Sequence, residues 1–141
     1  MIKDPNCIFC KIVAGEIPAE KVYEDDQYLA FLDIHPVNPG HTLVIPKEHY
    51  ADFSQTPEAL ACGTFAVVKK IAPVVLQAVG ATDFNLGVNN GRSAGQVIFH
   101  THIHLIPRLA HDGHKMWEYK DYAVGEMEAL GERIRTELRT K

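Results

Sequence analysis

One stretch governs the interpretation of this chain: Val97-Ile98-Phe99-His100-Thr101-His102-Ile103-His104-Leu105-Ile106-Pro107-Arg108. Its β-branched and aromatic residues predict a single strand over residues 97–108. Side chains alternate across a strand, so His100, His102 and His104 are expected on one face, with neighbours about 6.6 Å apart. The opposite face would carry Val97, Phe99, Thr101, Ile103 and Leu105 into the core.

Three histidines in strict alternation allow three interpretations. They could be a cluster on a solvated face, which the alternation disfavours. They could bind a metal, because His-x-His on a strand can place two nitrogens on one ion. They could also act in nucleophilic catalysis, in which a neutral His102 attacks and its neighbours bind an anion.

Length and composition limit the class of protein. The chain has 141 residues, of which 46% are hydrophobic and 23% charged, and this predicts one globular domain over residues 1–141. A net charge of −4 without a basic stripe argues against nucleic-acid binding. No apolar run approaches the roughly 18 residues of a membrane span. Three cysteines make no disulfide framework, so we expect a cytoplasmic protein that contacts neither nucleic acid nor membrane.

Period-two patterns elsewhere in the chain predict further strands. They are expected near residues 22–24, 27–33, 41–45 and 83–89. In the last of these, Phe84, Leu86 and Val88 would face inward. Short turns between strands favour a mainly antiparallel sheet of about five strands, in an α+β domain.

Helical spacing predicts three helices. The first begins near Cys7 and the second, the long central helix, follows Thr56, whose hydroxyl is expected to cap it. Pro73 should kink that helix or end it early. A C-terminal amphipathic helix completes the α+β domain.

The histidine segment resembles the motif of the histidine triad (HIT) superfamily, His-φ-His-φ-His-φ-φ, where φ is apolar. Other stretches resemble the family in the same order: Cys7-Ile8-Phe9-Cys10-Lys11-Ile12, Ala30-Phe31-Leu32-Asp33-Ile34, His41-Thr42-Leu43-Val44-Ile45-Pro46-Lys47-Glu48-His49 and Val88-Asn89-Asn90-Gly91. The match covers about residues 5–108 and looks closest to the Hint-like nucleotide-binding branch. It implies a HIT-like domain with a C-terminal helical extension over about residues 119–139.

The resemblance implies a nucleotide hydrolase or phosphoramidase. His102 would be the nucleophile, attacking the α-phosphorus of a nucleotidyl phosphoramidate or dinucleoside polyphosphate. Water would then hydrolyse the nucleotidyl-histidine and release a nucleoside monophosphate, with no catalytic cofactor. An imidazole suits this role because it is substantially neutral at pH 7. The catalytic lining around His102 would be completed by His41, His100 and His104.

The resemblance also implies a site for a purine nucleotide, an AMP or GMP derivative. Asp33 would accept hydrogen bonds from the ribose hydroxyls, although its position alone predicts a strand-end cap. The base would lie between Ile8, Phe9, Phe31, Ile34 and Leu43. Phosphate contacts, from side chain or backbone, would come from Asn89, Gly95, Gln96 and Val97.

Two residues depart from the family pattern. Val97 stands where relatives often carry Ser or Thr, so the hydroxyl that could meet the leaving group is missing. Thr101 occupies a slot that is usually apolar. The galactose-1-phosphate uridylyltransferase branch has Gln where this chain keeps His104, and its chains are much longer, which excludes a transferase of that kind.

Cys7 and Cys10 have the Cys-x-x-Cys spacing of a metal site or a redox dithiol. The spacing alone leaves both open. Some HIT relatives bind a structural zinc, and their pattern maps to Cys7, Cys10, His49 and His100, all four of which are present. Cys62, within the long helix, is expected to be a small core residue.

Two rival functions remain open at this stage. The first is a nucleotide-binding module without useful turnover, which Val97 favours. The second is a metallohydrolase that uses the histidine cluster. The family commonly forms two-fold dimers with a continuous sheet, so the resemblance also implies a homodimer, in which Trp117, Tyr119 and Tyr122 could lie at the interface.

Overall fold

Five strands form one antiparallel sheet in the computed structural model, which describes all 141 residues. The strands are β1 Lys21–Glu24, β2 Tyr28–Leu32, β3 Thr42–Pro46, β4 Asp83–Gly87 and β5 Ile103–Arg108. Their spatial order is β1-β2-β3-β5-β4, and each neighbouring pair is antiparallel. The predicted α+β class is confirmed, and β1 and β4 are the open edges.

The helices cover both faces of the sheet. They are α1 Ile8–Val13, α2 Glu58–Val79 and α3 Glu126–Arg139. Helix α2 packs on the face that carries Tyr28, Ala30, Val44, Ile103 and Leu105. Helix α1 packs on the face that carries Leu29, Phe31, Leu43 and Ile45. Because both faces are covered, the central strands β2 and β3 are apolar at consecutive positions rather than alternate ones.

Helix α2 runs without a break through Pro73, so the expected early end is wrong. Pro73 has no backbone N–H, so the carbonyl of Lys69 lacks its usual hydrogen bond within the helix. Both residues are exposed, so water can bind that carbonyl instead.

By length and composition alone α2 could cross a membrane. In this structure it lies on the sheet, where Gly63 lets it approach the Tyr28 hydroxyl closely. Cys62 is exposed, so its assignment to the core was wrong.

The edge strand β4 differs from its prediction. Phe84 and Leu86 are 42% and 45% exposed, although they were expected to face inward. Leu86 is paired with Leu105 and lies on the same side of the sheet as α2, but at its margin. The helix does not cover this margin, so the strand presents apolar side chains and an unpaired backbone edge.

The histidine segment is a strand only in its second half. β5 begins at Ile103, and residues 97–102 form an irregular approach to it. Val97 is 81% exposed and Phe99 38% exposed, so neither lies in the core. The backbone N–H of Thr101 donates to the carbonyl of Tyr50 at 2.8 Å instead of to a neighbouring strand. The prediction that all three histidines share one strand face is therefore wrong.

The chain beyond β5 leaves the sheet. Residues 109–125 are irregular, so the helical part of the C-terminal extension begins at Glu126, later than expected. Helix α3 contributes no buried residue. Its apolar positions Met127, Ile134 and Leu138 are exposed.

Candidate active site and metal centre

A cavity of about 400 Å³ lies between α1, β2, β3 and the approach to β5. One part is apolar and the other ends in polar groups. The apolar lining includes Ile8, Phe9, Phe31, Ile34 and Leu43, and the polar lining comprises Asp33, His35, Asn89, His102 and His104. Apolar walls with a few convergent polar groups are typical of a small-molecule site. The five residues predicted to hold a base therefore come together, although Ile34 remains 83% exposed.

His102 has one ring nitrogen fixed by the backbone. Its Nδ1 lies 2.6 Å from the carbonyl oxygen of His100, and because a carbonyl can only accept, Nδ1 carries the proton. This assignment leaves a lone pair on Nε2. The ring is 6% exposed, and burial lowers the pKa of His102, which favours the neutral form. His102 thus presents an unprotonated nitrogen in a residue that lines the cavity.

His41 fixes the orientation of His104 through a chain of hydrogen bonds. The backbone N–H of Val37 donates to His41 Nδ1 at 3.0 Å, so the proton of neutral His41 sits on Nε2. That nitrogen lies 2.8 Å from His104 Nδ1, to which it donates. The proton of His104 must then be on Nε2, as a donor. Burial holds the pKa of His104 at about 4, so the ring is neutral at pH 7.

Asp33, His41 and His104 also lie close enough to hold an ion, with their ligand atoms within 4.8 Å of one another. The hydrogen bonds argue against that use. His104 Nδ1 accepts a hydrogen bond from the protonated Nε2 of His41, so neither nitrogen offers a free lone pair. The Asp33 carboxylate is 3.7 Å from His41 Nε2 and accepts the backbone N–H of His35 at 2.9 Å. Asp33 therefore caps the end of β2, as its position alone predicted, and it also lines the cavity.

The loop before the histidine segment has backbone groups without partners. Gly91 and Gly95 adopt positive φ values of 85° and 86°, which turn the chain tightly. The N–H groups of Val97 and Ile98 donate to no protein acceptor, and both residues line the cavity. Paired free N–H groups of this kind can bind an anion.

Gln96 does not reach the cavity. Its side chain is 4% exposed and donates to the carbonyl of Ala51 at 2.7 Å, while its Oε1 accepts the N–H of Gly91 at 2.9 Å. Its own N–H donates to the Gly91 carbonyl at 3.1 Å. The expected phosphate contact of Gln96 has no geometric support, because every group that could make it holds the loop together. Asn89, Gly95 and Val97 do line the cavity.

A second cluster lies behind the active site. Cys7 Sγ and His100 Nδ1 are 3.5 Å apart, and Cys10 Sγ and His49 Nδ1 are 3.4 Å apart. The four ligand atoms lie within 4.8 Å of one another. In a tetrahedral zinc site, neighbouring ligands are roughly 3.3–3.8 Å apart, given the usual Zn–S and Zn–N lengths. The donor set and its spacing fit zinc, and four protein ligands would leave no open position.

His100 is oriented for this cluster rather than for the cavity. It is fully buried, and its Nε2 donates to the carbonyl of Pro46 at 2.8 Å, which leaves Nδ1 facing the thiols. Such a bond from the second ring nitrogen is the usual support of a metal-ligating histidine. The His100 side chain does not line the cavity, so the prediction that it belongs to the catalytic lining is wrong. Its carbonyl nevertheless orients His102.

Thr56 and Thr101 form a buried pair that sequence reasoning missed. Their hydroxyl oxygens are 2.8 Å apart, and the residues are 8% and 2% exposed. Thr101 also lies 3.2 Å from the Tyr50 carbonyl, and Thr56 donates to the Asp52 carbonyl at 2.9 Å. Thr56 therefore does not cap α2 as expected. The only signal in the sequence was a threonine in a slot where the family is apolar.

Breaking this pair should destabilise the protein non-additively. We expect Thr101→Val and Thr56→Val each to cost about 1–2 kcal/mol, because each removes a buried hydrogen bond and leaves the other hydroxyl with only its backbone partner. The double variant should cost less than the sum, by about 1 kcal/mol. Urea unfolding measures these values, with the exposed Thr82→Val as a control expected within about 0.5 kcal/mol of wild type. Additive costs would contradict a direct bond.

Burial of His104 predicts a loss of stability in mild acid. Its folded pKa of about 4 lies below the ordinary value of about 6.5, so between these pH values the unfolded chain binds more protons. Stability should therefore fall as the pH drops from 6.5 toward 4. Unfolding free energies at pH 7 and pH 5 should differ less in His104→Gln than in wild type, and equal differences would contradict the assignment.

Fold and site together define a class: small α+β domains in which a histidine-rich segment closes one end of an apolar cleft. The model of the HIT domain family matches residues 14–111. The chain belongs to the HIT family.

Two relatives carry names that describe reactions. The adenylylsulfatase HINT3 of Arabidopsis thaliana is 50% identical over 107 residues, which are 76% of this chain and 54% of that protein, so the chain spans about half of its length. The adenosine 5′-monophosphoramidase hnt1 of Schizosaccharomyces pombe is 39% identical over 136 residues, 95% of this chain and 99% of that protein. These similarities support a nucleotide hydrolase of the HIT type.

Solved structures share the fold. SMU.412c from Streptococcus mutans superposes with a TM-score of 0.90 at 42% identity, over 96% of this chain and 87% of that one. A zinc-bound histidine triad family protein from Mycobacterium smegmatis gives a TM-score of 0.75 at 40% identity, over 82% and 84% of the two chains. The second is described as zinc-bound, and the Cys/His cluster of this chain has the ligands and spacing to hold a metal ion.

Proposed function

We propose that this protein hydrolyses nucleotidyl phosphoramidates or dinucleoside polyphosphates at the α-phosphorus, through a nucleotidyl-His102 intermediate. The observation that carries the proposal is the hydrogen bond from His102 Nδ1 to the His100 carbonyl, which keeps the lone pair on Nε2. An imidazole held neutral in this orientation is a nucleophile at pH 7 without a separate base.

The cavity suits a purine nucleoside monophosphate. A base would lie in the apolar part, against Phe9 and Phe31, whose rings meet edge to face at 5.3 Å. The Asp33 carboxylate, which lines the cavity, would accept hydrogen bonds from the ribose hydroxyls. This arrangement leaves the α-phosphate beside His102 at the polar end.

Phosphoryl oxygens would be bound by donors that are already in place. The free N–H groups of Val97 and Ile98 and the Nε2–H of His104 are the available donors. Donors fixed before the reaction stabilise the charge that develops on a phosphoryl group without the cost of reorganisation. His41 acts through His104, because it determines which nitrogen of His104 carries the proton.

We also propose that Cys7, Cys10, His49 and His100 hold a structural zinc ion. When bound, zinc would supply a rigid cross-link between α1 and the approach to β5, not an open coordination position. The chain's own contribution is the His100 carbonyl, which the cluster holds in line with His102 Nδ1.

A cytoplasmic homodimer completes the proposal. The open edge of β4, with Phe84 and Leu86 exposed beside it, is suited to pairing with a second copy about a two-fold axis. Trp117, which is 82% exposed and borders Leu86 and Gly87, lies next to that edge. If Trp117→Ala changes neither the dimer dissociation constant nor the turnover, Trp117 does not lie at the dimer interface.

The test of function is release of AMP from adenosine 5′-phosphoramidate and from adenosine 5′-phosphosulfate, followed by chromatography. Wild type should release AMP from at least one of them, and EDTA added at the start of a short assay should leave the rate unchanged. Binding of AMP with no release from either substrate would contradict the proposal and favour a nucleotide-binding module. Immediate loss of activity in EDTA with the fold intact would favour a metallohydrolase.

A further inference from the structure

We propose that Asp112 is a positioning residue for the active site, because it holds Val37 where its backbone N–H keeps the proton of His104 on Nε2. Asp112 follows β5 in the chain and does not line the cavity. Its importance for catalysis rests on the proposed function, whereas its effect on Val37 and on the proton of His104 does not.

The Asp112 carboxylate is the centre of a cluster of five hydrogen bonds. The side chain is 6% exposed and accepts from Arg108 Nε at 2.7 Å and Arg108 Nη2 at 3.0 Å. It also accepts the backbone N–H groups of Leu109 and His114, at 3.2 and 3.0 Å. The fifth donor is Asn38 Nδ2, at 2.9 Å. The Arg108 guanidinium and the other donors hold the pKa of Asp112 well below its usual range, so the group is a carboxylate at neutral pH.

The backbone around Asp112 makes a tight, strained turn. His111 is the only non-glycine residue of the chain with a positive φ, 61°, and Gly113 has a φ of 81°. Such a conformation persists where the surrounding contacts over-determine it, and the hydrogen bonds of Asp112 supply those contacts. The turn carries His114 back toward the loop between β2 and β3.

Two links connect the cluster to that loop. Asn38 Nδ2, which is bound to Asp112, also donates to the carbonyl of Pro107 at 2.9 Å. His114 Nε2 donates to the carbonyl of Val37 at 3.0 Å. The cluster therefore holds Val37 through its own carbonyl and through the side chain of the next residue.

Val37 in turn determines where the protons of two histidines lie. Its N–H donates to His41 Nδ1 at 3.0 Å, so His41 donates from Nε2 to His104 Nδ1 at 2.8 Å. If Val37 moves away, His41 Nδ1 can take a proton from water while Nε2 releases its own. His104 must then donate from Nδ1 to His41, and its Nε2 offers the cavity a lone pair.

The consequence for catalysis is the loss of one donor to the phosphoryl group. A donor fixed in advance stabilises charge that develops in the transition state, so its loss lowers kcat more than it weakens substrate binding. The apolar cleft and Asp33, which would hold the nucleoside, do not depend on the cluster. Asp112 would thus act through His104 and not on the substrate itself.

Amide hydrogen exchange at Val37, followed by NMR at pH 7, tests the structural part. Exchange should accelerate at least about tenfold in Asp112→Ala and about threefold in His114→Ala. His114→Gln keeps an N–H donor near the position of Nε2 and should exchange at the wild-type rate. Asp121→Ala removes an exposed carboxylate outside the cluster and is the matched control. Wild-type exchange at Val37 in both Asp112→Ala and His114→Ala would overturn the proposal.

Imidazole ¹⁵N shifts in the same samples show which nitrogen of His104 carries the proton. Wild type should have it on Nε2, and Asp112→Ala should show a larger fraction on Nδ1. A proton on Nδ1 of His104 in wild type, or the same fraction in both proteins, would overturn the proposed link from Asp112 to this ring.

A double-mutant cycle separates positioning from a general loss of structure. Asp112→Ala should lower kcat for AMP release about tenfold and change KM by about twofold or less. In a His104→Gln background the same substitution should change kcat by no more than about twofold, because the group through which Asp112 acts is absent. A tenfold loss in both backgrounds would overturn the positioning role. If wild type releases no AMP, the proposed function is wrong, and the Val37 exchange rates and the His104 shifts still decide whether Asp112 maintains this arrangement.

Discussion

His102→Ala should lower the rate of AMP release by about 10³-fold or more, whichever nucleotidyl substrate is used. The reason is that neither of the other two histidines of the motif offers a free ring nitrogen to the cavity. His104 Nδ1 is occupied by His41, and His100 faces the thiols instead of the cleft. The rate is measured by chromatography of AMP under saturating substrate.

His111→Asn is the matched control for this prediction. His111 is exposed after β5 and has a φ of 61°, a conformation that Asn tolerates well. This variant should keep the wild-type rate. His102→Ala should still bind AMP in calorimetry, because the apolar cleft and Asp33 remain. Equal turnover in wild type and His102→Ala would exclude His102 as the nucleophile.

Loss of the Cys/His cluster should have the second large effect. We expect the purified protein to contain about one zinc per chain and Cys10→Ser to lose it. A ligand present at about 100 times its Kd stabilises the folded state by about 2.7 kcal/mol, so Tm should fall by roughly 6–11 °C. Metal analysis and thermal unfolding measure the two quantities. Cys62→Ser removes an exposed thiol outside the cluster and should change neither.

Loss of the zinc site should also lower catalytic activity. The His100 carbonyl accepts a hydrogen bond from His102 Nδ1. If the cluster is disordered, this carbonyl should no longer hold the His102 ring in place. His49→Ala should therefore lower kcat more than it raises KM for the nucleotide. A full zinc content in Cys10→Ser, or an unchanged Tm after the metal is removed, would contradict the structural role.

The sheet was predictable because its signals are local. The strands predicted over residues 27–33 and 41–45 correspond to β2 and β3, each within a residue or two of its observed bounds. Both strands are buried on two faces, which explains why apolar residues fill consecutive positions. The cavity was predictable for a different reason, since the family resemblance selected residues that composition alone would assign to the core.

The approach to β5 was not predictable, because long-range contacts override its strand-like sequence. His100 faces two cysteines that lie 90 and 93 positions earlier, and Thr101 is hydrogen-bonded to Thr56. These contacts hold residues 97–102 out of the sheet, so side-chain alternation begins only at Ile103. Gln96 was misassigned for a related reason: a buried amide that closes a loop and one that binds phosphate look alike in sequence.

The exposed residues were the other source of error. Phe84 and Leu86 follow the pattern of an inward strand face. They are exposed because β4 lies at the edge of the sheet, which α2 does not cover. Cys62 lies on the outer side of α2, and only the direction in which that helix packs could show this. Periodicity indicates which residues share a face, and it does not show what covers that face.

The most informative single measurement is the mass of the enzyme during one turnover. Enzyme in excess is mixed with adenosine 5′-phosphosulfate, quenched within milliseconds to seconds in a denaturant at alkaline pH, digested, and examined by mass spectrometry. We predict one adenylyl group, on a peptide that contains His102, which forms and decays at the rate of AMP release and is absent from His102→Ala. AMP formed in wild type with no adenylylated peptide at any time, or with the adenylyl group on another residue, would contradict nucleophilic catalysis by His102.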